Sequence, residues 1–392
     1  MRVTDQFQDS ASTTIRSWQR FIENPFEPIC LIIYLSNQCN MKCGYCYAAH
    51  AANGHDHRHI SNRIIDEQSV GSAAQLVARH CARRNLPLRV VFHGGGEPTH
   101  HWSLLKRLQA LTRNIARQYK IGWWGYLATN GIMSPAQVKW VAEHFDLVGL
   151  SCDGPNDIQD NQRPLLNGTP SSHYVENTAR MLKEYGSEFI IRSTITPKTV
   201  ERQSDIAGYL IGQLGATKMR FEPVYRIMEN ETVEFKSTHA DLFVENFFKA
   251  QEEASKHHCQ LSYSGVRRDE SHGPYCNILR NVLHLTPDGT ATACFFDVGD
   301  LDQENHSHVI GGYDRGKDVF ILDQDRIMAL KKRVGRIPER CKECINIYHC
   351  ARECPEICML KTDGSIEDRE PGFRCMVNKR MAENWILKGI ET

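Results

Sequence analysis

The sequence predicts an α/β protein, a partial (β/α)6 barrel followed by a cysteine-rich C-terminal extension. Three observations carry this. From Ile29 to Glu222, apolar β-type runs alternate with helix-periodic segments, the pattern of parallel strands joined by crossover helices. Six such strands fall short of a closed eight-stranded barrel, so an open or partial one is expected. Beyond residue 270 the alternation gives way to spaced cysteines.

Residues 1–28 read as a polar lead-in with one weakly amphipathic helix around Ile15–Ile22, closed by Asn24-Pro25 and Pro28. Ile29–Leu35 is an unbroken apolar run, hence a buried strand. Helix 66–84 places Val70, Ala73, Ala74, Val77 and Ala78 on one face, and strand 88–92 ends in His93-Gly94-Gly95-Gly96-Glu97-Pro98. Helix 104–119 carries a leucine-rich face, and strand 123–128 runs into Thr129-Asn130-Gly131. Ser134-Pro135-Ala136-Gln137 has an N-cap serine, proline at N1 and glutamine at N3, which starts a helix over 135–144. Strand 147–151 ends at Cys152-Asp153-Gly154-Pro155. Helix 174–185, strand 189–196, helix 200–214 and strand 218–222 complete the series. A helix over 241–257 lies in a bridge, 225–270, that leads to the extension, 271–392.

Composition narrows the functional classes. Lys+Arg and Asp+Glu both number 47 in 392 residues, so no global field points to nucleic acid or to an anionic membrane surface. No apolar run approaches the ~20 residues of a membrane span, and the first residues lack a signal-type apolar core. A cytoplasmic protein is expected. In that compartment 15 cysteines speak for metal rather than disulfides.

The organising stretch is Cys39-Asn40-Met41-Lys42-Cys43-Gly44-Tyr45-Cys46, a C-x3-C-x2-C loop directly after the first strand. One short loop can aim three thiolates at one soft-metal centre, and three protein ligands on a four-iron cube leave one iron open. Structural zinc takes four ligands, usually from paired C-x2-C knuckles. The loop resembles the signature of the radical S-adenosylmethionine (SAM) superfamily. The resemblance implies that Cys39, Cys43 and Cys46 hold a [4Fe-4S] cluster whose open iron chelates SAM and cleaves it to a 5′-deoxyadenosyl radical. Gly95-Gly96-Glu97 matches the family's Gly-Gly-Glu, which implies a contact with the SAM amino group. Ser151-x-Asp153-Gly154-Pro155 resembles an element of the peptide-modifying branch, with Ser151 near the SAM ribose. Thr129, Asn130 and Asp153 lie on the same strand-end loops and join the SAM set, and Arg192 is a partner for the SAM carboxylate. In parallel α/β folds ligands sit at the carboxyl ends of strands, where all these loops fall. Cys30, Cys81 and Cys152 read as packed thiols, and His55–His59 as a solvated loop.

The extension carries Cys276, then Gly289 and Cys294, then Cys341-x2-Cys344-x5-Cys350-x3-Cys354 and Cys375. This resembles the seven-cysteine SPASM domain. The resemblance implies that Cys276, Cys294 and Cys354 hold part of auxiliary cluster I, and that Cys341, Cys344, Cys350 and Cys375 hold auxiliary cluster II. That makes three [4Fe-4S] clusters. Cys259, Cys358 and His272 are candidates for the missing ligand of cluster I, and an open iron is the other reading. Asp297 and Tyr275 are candidates for a general base by position.

The branch resembled modifies peptides and proteins. The expected function is a maturase that abstracts a hydrogen atom from a precursor peptide, with a flavodoxin- or ferredoxin-type donor and a separate leader-recognition protein as partners. Formylglycine formation by a sulfatase maturase is the alternative. It is disfavoured because Phe295-Phe296 stand where that branch has Asp directly after the cysteine. A non-catalytic electron-transfer or sensor protein is the third reading, and the intact Gly95-Gly96-Glu97 speaks against it.

Overall fold

The computed structural model describes residues 23–46, 63–224, 235–266, 279–294, 308–335, 339–347, 349–350 and 372–390. The barrel region runs β1 (Cys30–Ile33), α1 (Glu67–Arg83), β2 (Leu88–Phe92), α2 (Trp102–Gln118), β3 (Trp123–Thr129), α3 (Pro135–His144) and β4 (Leu147–Ser151). It continues with α4 (Asn156–Gln162), α5 (Ser172–Glu184), β5 (Phe189–Ile195), α6 (Gln203–Gly212) and β6 (Lys218–Pro223). Then follow α7 (Ala240–Lys256), β7 (Gln260–Ser262), β8 (Val282–Leu285), β9 (Thr290–Thr292), β10 (Val309–Asp314), β11 (Val319–Leu322), α8 (Gln324–Val334) and α9 (Phe373–Ile390).

Strands β1 to β7 pair in chain order, all parallel. The sheet does not stop at the six expected strands. β7 extends it past β6, and β8 pairs parallel with β1 on the other side and leads into the antiparallel β9–β11. The first strand is therefore internal, which is why Leu31 and Ile33 are fully buried.

Local chemistry sets the helix starts. Asp66 accepts from the Ser69 amide at the head of α1. Ser134 and Gln137 form the expected reciprocal cap on α3. Helix 200–214 divides into a 3-10 turn, Val200–Arg202, and α6.

β5 and β6 alternate buried and half-buried residues. The buried set (Ile191, Ile195, Met219, Phe221) packs in the core beneath the helices, and the half-buried set faces the concave side. A separate small cluster, Ile32 and Tyr34 with Cys30, Cys46, Val91 and Val282 packed against it, sits on that concave side of β1, β2 and β8. Cys30 thus faces the lumen and not the helix layer, while Cys81 and Cys152 are buried as expected. Among the described residues no helix is long and apolar enough to cross a membrane.

Candidate functional site

The cysteine loop leaves β1 and is held by the fold's own backbone. Gly96 N–H donates to the Ser36 carbonyl at 2.7 Å and Glu97 N–H to the Gln38 carbonyl at 2.9 Å. This approach is so close that a Cβ on Gly96 would overlap the Gln38 carbonyl, and Gly95 has φ +66°. The loop's other side runs along residues 162–166, where Lys42 N–H donates to Pro164 at 2.8 Å and Gly44 N–H to Gln162 at 3.2 Å.

Glu97 is 4% exposed and joins three strand ends. Its Oε1 accepts from Thr99 N–H (3.0 Å), Thr99 Oγ1 (2.8 Å) and Thr129 Oγ1 (2.9 Å), and Oε2 accepts from Asn130 N–H at 2.7 Å. Burial raises its pKa, and these donors work against that rise. One oxygen is saturated, so the remaining acceptor capacity lies on Oε2. Asn130 in turn donates from Nδ2 to Asn40 Oδ1 at 2.7 Å and toward Cys39 Sγ at 3.7 Å.

Two of the residues expected at the cofactor have their side chains engaged within the protein. The Thr129 hydroxyl is buried and donates to Glu97. Asp153 is fully buried and its carboxylate is used up. Oδ1 accepts from Thr194 N–H at 2.9 Å, and Oδ2 accepts from Tyr45 OH (2.5 Å) and Gln162 Nε2 (2.8 Å) and pairs with Arg163 Nε at 3.1 Å. Asp153 thus ties the cysteine loop to β4, α4 and β5. Arg163, which also lies over the Tyr45 ring at 5.3 Å, was missed in the sequence, as was Tyr45. Their signal is faint: Arg163 follows a helix of only 7 residues with no usable periodicity.

Ser151 and Arg192 are register partners on β4 and β5. Arg192 Nη1 reaches His93 Nε2 at 3.1 Å, across the concave face from β5 to the end of β2. A guanidinium only donates, so Nε2 accepts and the His93 proton resides on Nδ1. Burial, with Arg192 and His284 nearby, keeps His93 neutral, well below the usual imidazole range.

Cys39, Cys43 and Cys46 are all half-buried free thiols. Burial pushes Cys39 up to about 12 and Cys43 up to about 11. A bound cation would supply the counter-charge that thiolates need in such a buried position. Among the described residues no three His, Cys, Asp or Glu side chains are drawn in around a single-ion position.

In the extension, Cys294 is buried, and Cys341, Cys344, Cys350 and Cys375 are half-buried. Cys375 sits in the first turn of α9. One turn on, Asn378 donates to Cys350 Sγ at 3.2 Å and accepts from Tyr263 OH at 2.7 Å. Cys350 is thereby tied to α9. Cys276, Cys354, Cys358, His272, Tyr275, Asp297, His55–His59 and the lead-in helix lie outside the described residues.

Residues 33–208 match the model of the radical SAM superfamily. The fold is similar to that of native anSMEcpe with bound AdoMet, in line with the expected α/β class. A cysteine-type anaerobic sulfatase-maturating enzyme of Clostridium perfringens is 29% identical over 185 residues, 46% of this chain and 48% of that one. The chain therefore spans about half the length of that relative. The solved structure of anSMEcpe with bound AdoMet and Cp18Cys peptide is similar with TM-score 0.73 and 22% identity, covering 93% of this chain and 98% of that one. Streptococcus suis SuiB bound to precursor peptide SuiA is similar with TM-score 0.56 and 14% identity, covering 92% and 79%.

Proposed function

We propose that the chain is a radical SAM maturase that modifies a residue of a ribosomally made precursor peptide. The observation that carries this is the convergence of the three-cysteine loop, Glu97, Asn130, Ser151 and Arg192 on the strand ends of one concave face. The cluster and SAM, when bound, supply one-electron reduction and hydrogen-atom abstraction.

Cys39, Cys43 and Cys46 hold the cluster. Gly95 and Gly96 let the cofactor approach the backbone, and Glu97 Oε2 takes its ammonium. Arg192 takes its carboxylate, with His93 fixing the guanidinium from the far side, and Ser151 faces its ribose. Asn130 orients the loop beside Cys39, while Asp153 and Arg163 brace it through Tyr45. The concave wall excludes water from the reacting carbon. In the extension the seven cysteines hold two further clusters in the roles the sequence assigns, with Asp297 or Tyr275 as base and a flavodoxin- or ferredoxin-type protein as electron donor.

Formylglycine formation is a second reading, favoured by the likeness to a sulfatase-maturating enzyme. Phe295-Phe296 after Cys294 weighs against it. The first test is anaerobic reconstitution followed by dithionite. Production of 5′-deoxyadenosine from SAM is expected, and its absence refutes the enzyme. The second is mass spectrometry of a co-expressed short peptide encoded beside this gene. A new crosslink is expected there, whereas a hydrazide-reactive aldehyde on a Cys- or Ser-bearing sulfatase peptide would move the assignment to formylglycine.

A further inference from the structure

The concave face carries a charge pair that the cofactor reading does not use. β5 and β6 are parallel, with Arg192 in register with Arg220. Register partners on neighbouring strands lie ~5 Å apart at the backbone and point to the same side. Arg220 and Glu222 alternate with the buried Met219, Phe221 and Pro223, so both stand on the half-buried lumen face beside Arg192.

Among the described residues neither guanidinium is ion-paired. Arg192 has only the neutral His93 as its side-chain partner, and Arg220 Nε is buried without a hydrogen-bond partner. Glu222 gives Oε1 to the Ser264 amide at 2.9 Å, while Oε2 is buried and unpartnered. A buried charged donor and a buried charged acceptor left open side by side are costly in a fold that satisfies nearly all such groups. Two adjacent guanidiniums add repulsion that a single half-engaged carboxylate does not cancel. If Arg192 is answered by the cofactor's carboxylate, Arg220 still lacks an anion.

We propose that Arg220 and Glu222 form a substrate-selecting subsite on β6 that takes an acidic residue of the peptide. Arg220 binds the peptide's side-chain carboxylate through its fork, and Glu222 Oε2 accepts a main-chain N–H of the same segment. The position beside Arg192 puts this acidic residue next to the cofactor end of the lumen, close to the residue to be modified. The inference rests on the peptide-modifying reading and names the chemistry of its substrate.

The experiment is selection of a phage-displayed random 12-residue library on the full chain, reconstituted anaerobically with SAM. An Asp or Glu at a fixed position of the enriched peptides is expected. Arg220→Gln should abolish that preference and weaken the selected peptide at least about tenfold, the scale of one charge-assisted fork. Arg220→Glu should replace the acidic position by Lys or Arg, and Arg220→Lys should keep it. Wild-type selection without an acidic consensus overturns the proposal by itself, as does an unchanged consensus in Arg220→Glu. Formation of 5′-deoxyadenosine by the wild-type preparation is measured in parallel. If it fails, the radical reading fails; if it succeeds and no acidic preference emerges, only the subsite falls.

Discussion

The two cysteine-bearing regions are built differently. Around Cys39–Cys46 the loop is clamped by main-chain bonds to the β2–α2 turn on one side and to residues 162–166 on the other. Asp153 and Asn130 lock it from two further strand ends. Around Cys341–Cys350 the described backbone is a run of short turns, Cys344 to Cys341 and Cys350 to Asn346, joined to α9 through Asn378. The first loop is held at the ends of a parallel sheet. Among the described residues the second is joined to α9 through Asn378, and metal ligation is expected to add to that joint.

The largest expected effect tests whether the regions are separable. Replacing Cys39, Cys43 and Cys46 with Ala should abolish SAM cleavage while the bound iron falls from about twelve to about eight per chain, one four-iron cluster fewer. Iron analysis and electron paramagnetic resonance read this directly. Loss of all iron would show that the extension depends on the radical loop, and the contrast drawn above would fail.

Next comes the clamp itself. Asp153→Ala strips the carboxylate from Arg163, Tyr45, Gln162 and the Thr194 amide. Leaving a buried guanidinium unpaired costs about 3–5 kcal/mol. The surface pair Arg180–Glu184 is more than half exposed on both sides, and its loss should cost under about 0.5 kcal/mol. Urea unfolding of the metal-free protein separates the two. In the extension, Asn378→Ala should cost about 1–3 kcal/mol by removing its bonds to Tyr263 OH and Cys350 Sγ. A larger loss there than at Asp153 would reverse the ranking of the two regions.

How much of this was legible depends on the length of the pattern. Ser134-Pro-Ala-Gln gave its cap in four letters, and the strand of Leu88–Phe92 was bounded by punctuation on both sides. β7 and β9 are three residues long, too short for any periodicity, and Gly311-Gly312 interrupts β10. Their pairing with the barrel comes from tertiary contact that no local window contains. The site shows the same division. Spacing marks which residues converge, as with Glu97 and Cys39, but not which of them are consumed in bracing one another. Thr129 and Asp153 sit in the right loops and are spent on Glu97 and Tyr45, and nothing around Arg163 announces that it completes the set.

The seam between the regions offers the finest test. β8 joins the extension to β1, and His284 on β8 meets Tyr34 OH through Nδ1 at 3.0 Å. Full burial lowers the His284 pKa to about 3. In the unfolded chain it returns to about 6.5. Above pH ~6.5 neither state binds the proton, and this group adds no pH dependence. Between ~6.5 and ~3 only the unfolded chain is protonated, so stability falls as pH falls, by about 1.4 kcal/mol per unit. His93, also lowered, contributes in the same direction. Substituting His284→Leu removes the bond to Tyr34 OH, a constant offset, but also removes one proton's worth of slope. Urea midpoints of the metal-free protein at pH 7, 6 and 5 should therefore converge between wild type and variant as pH drops. Parallel curves would mean that His284 titrates normally and that the seam opens to water, so that the extension is joined to the barrel more loosely than its shared sheet implies.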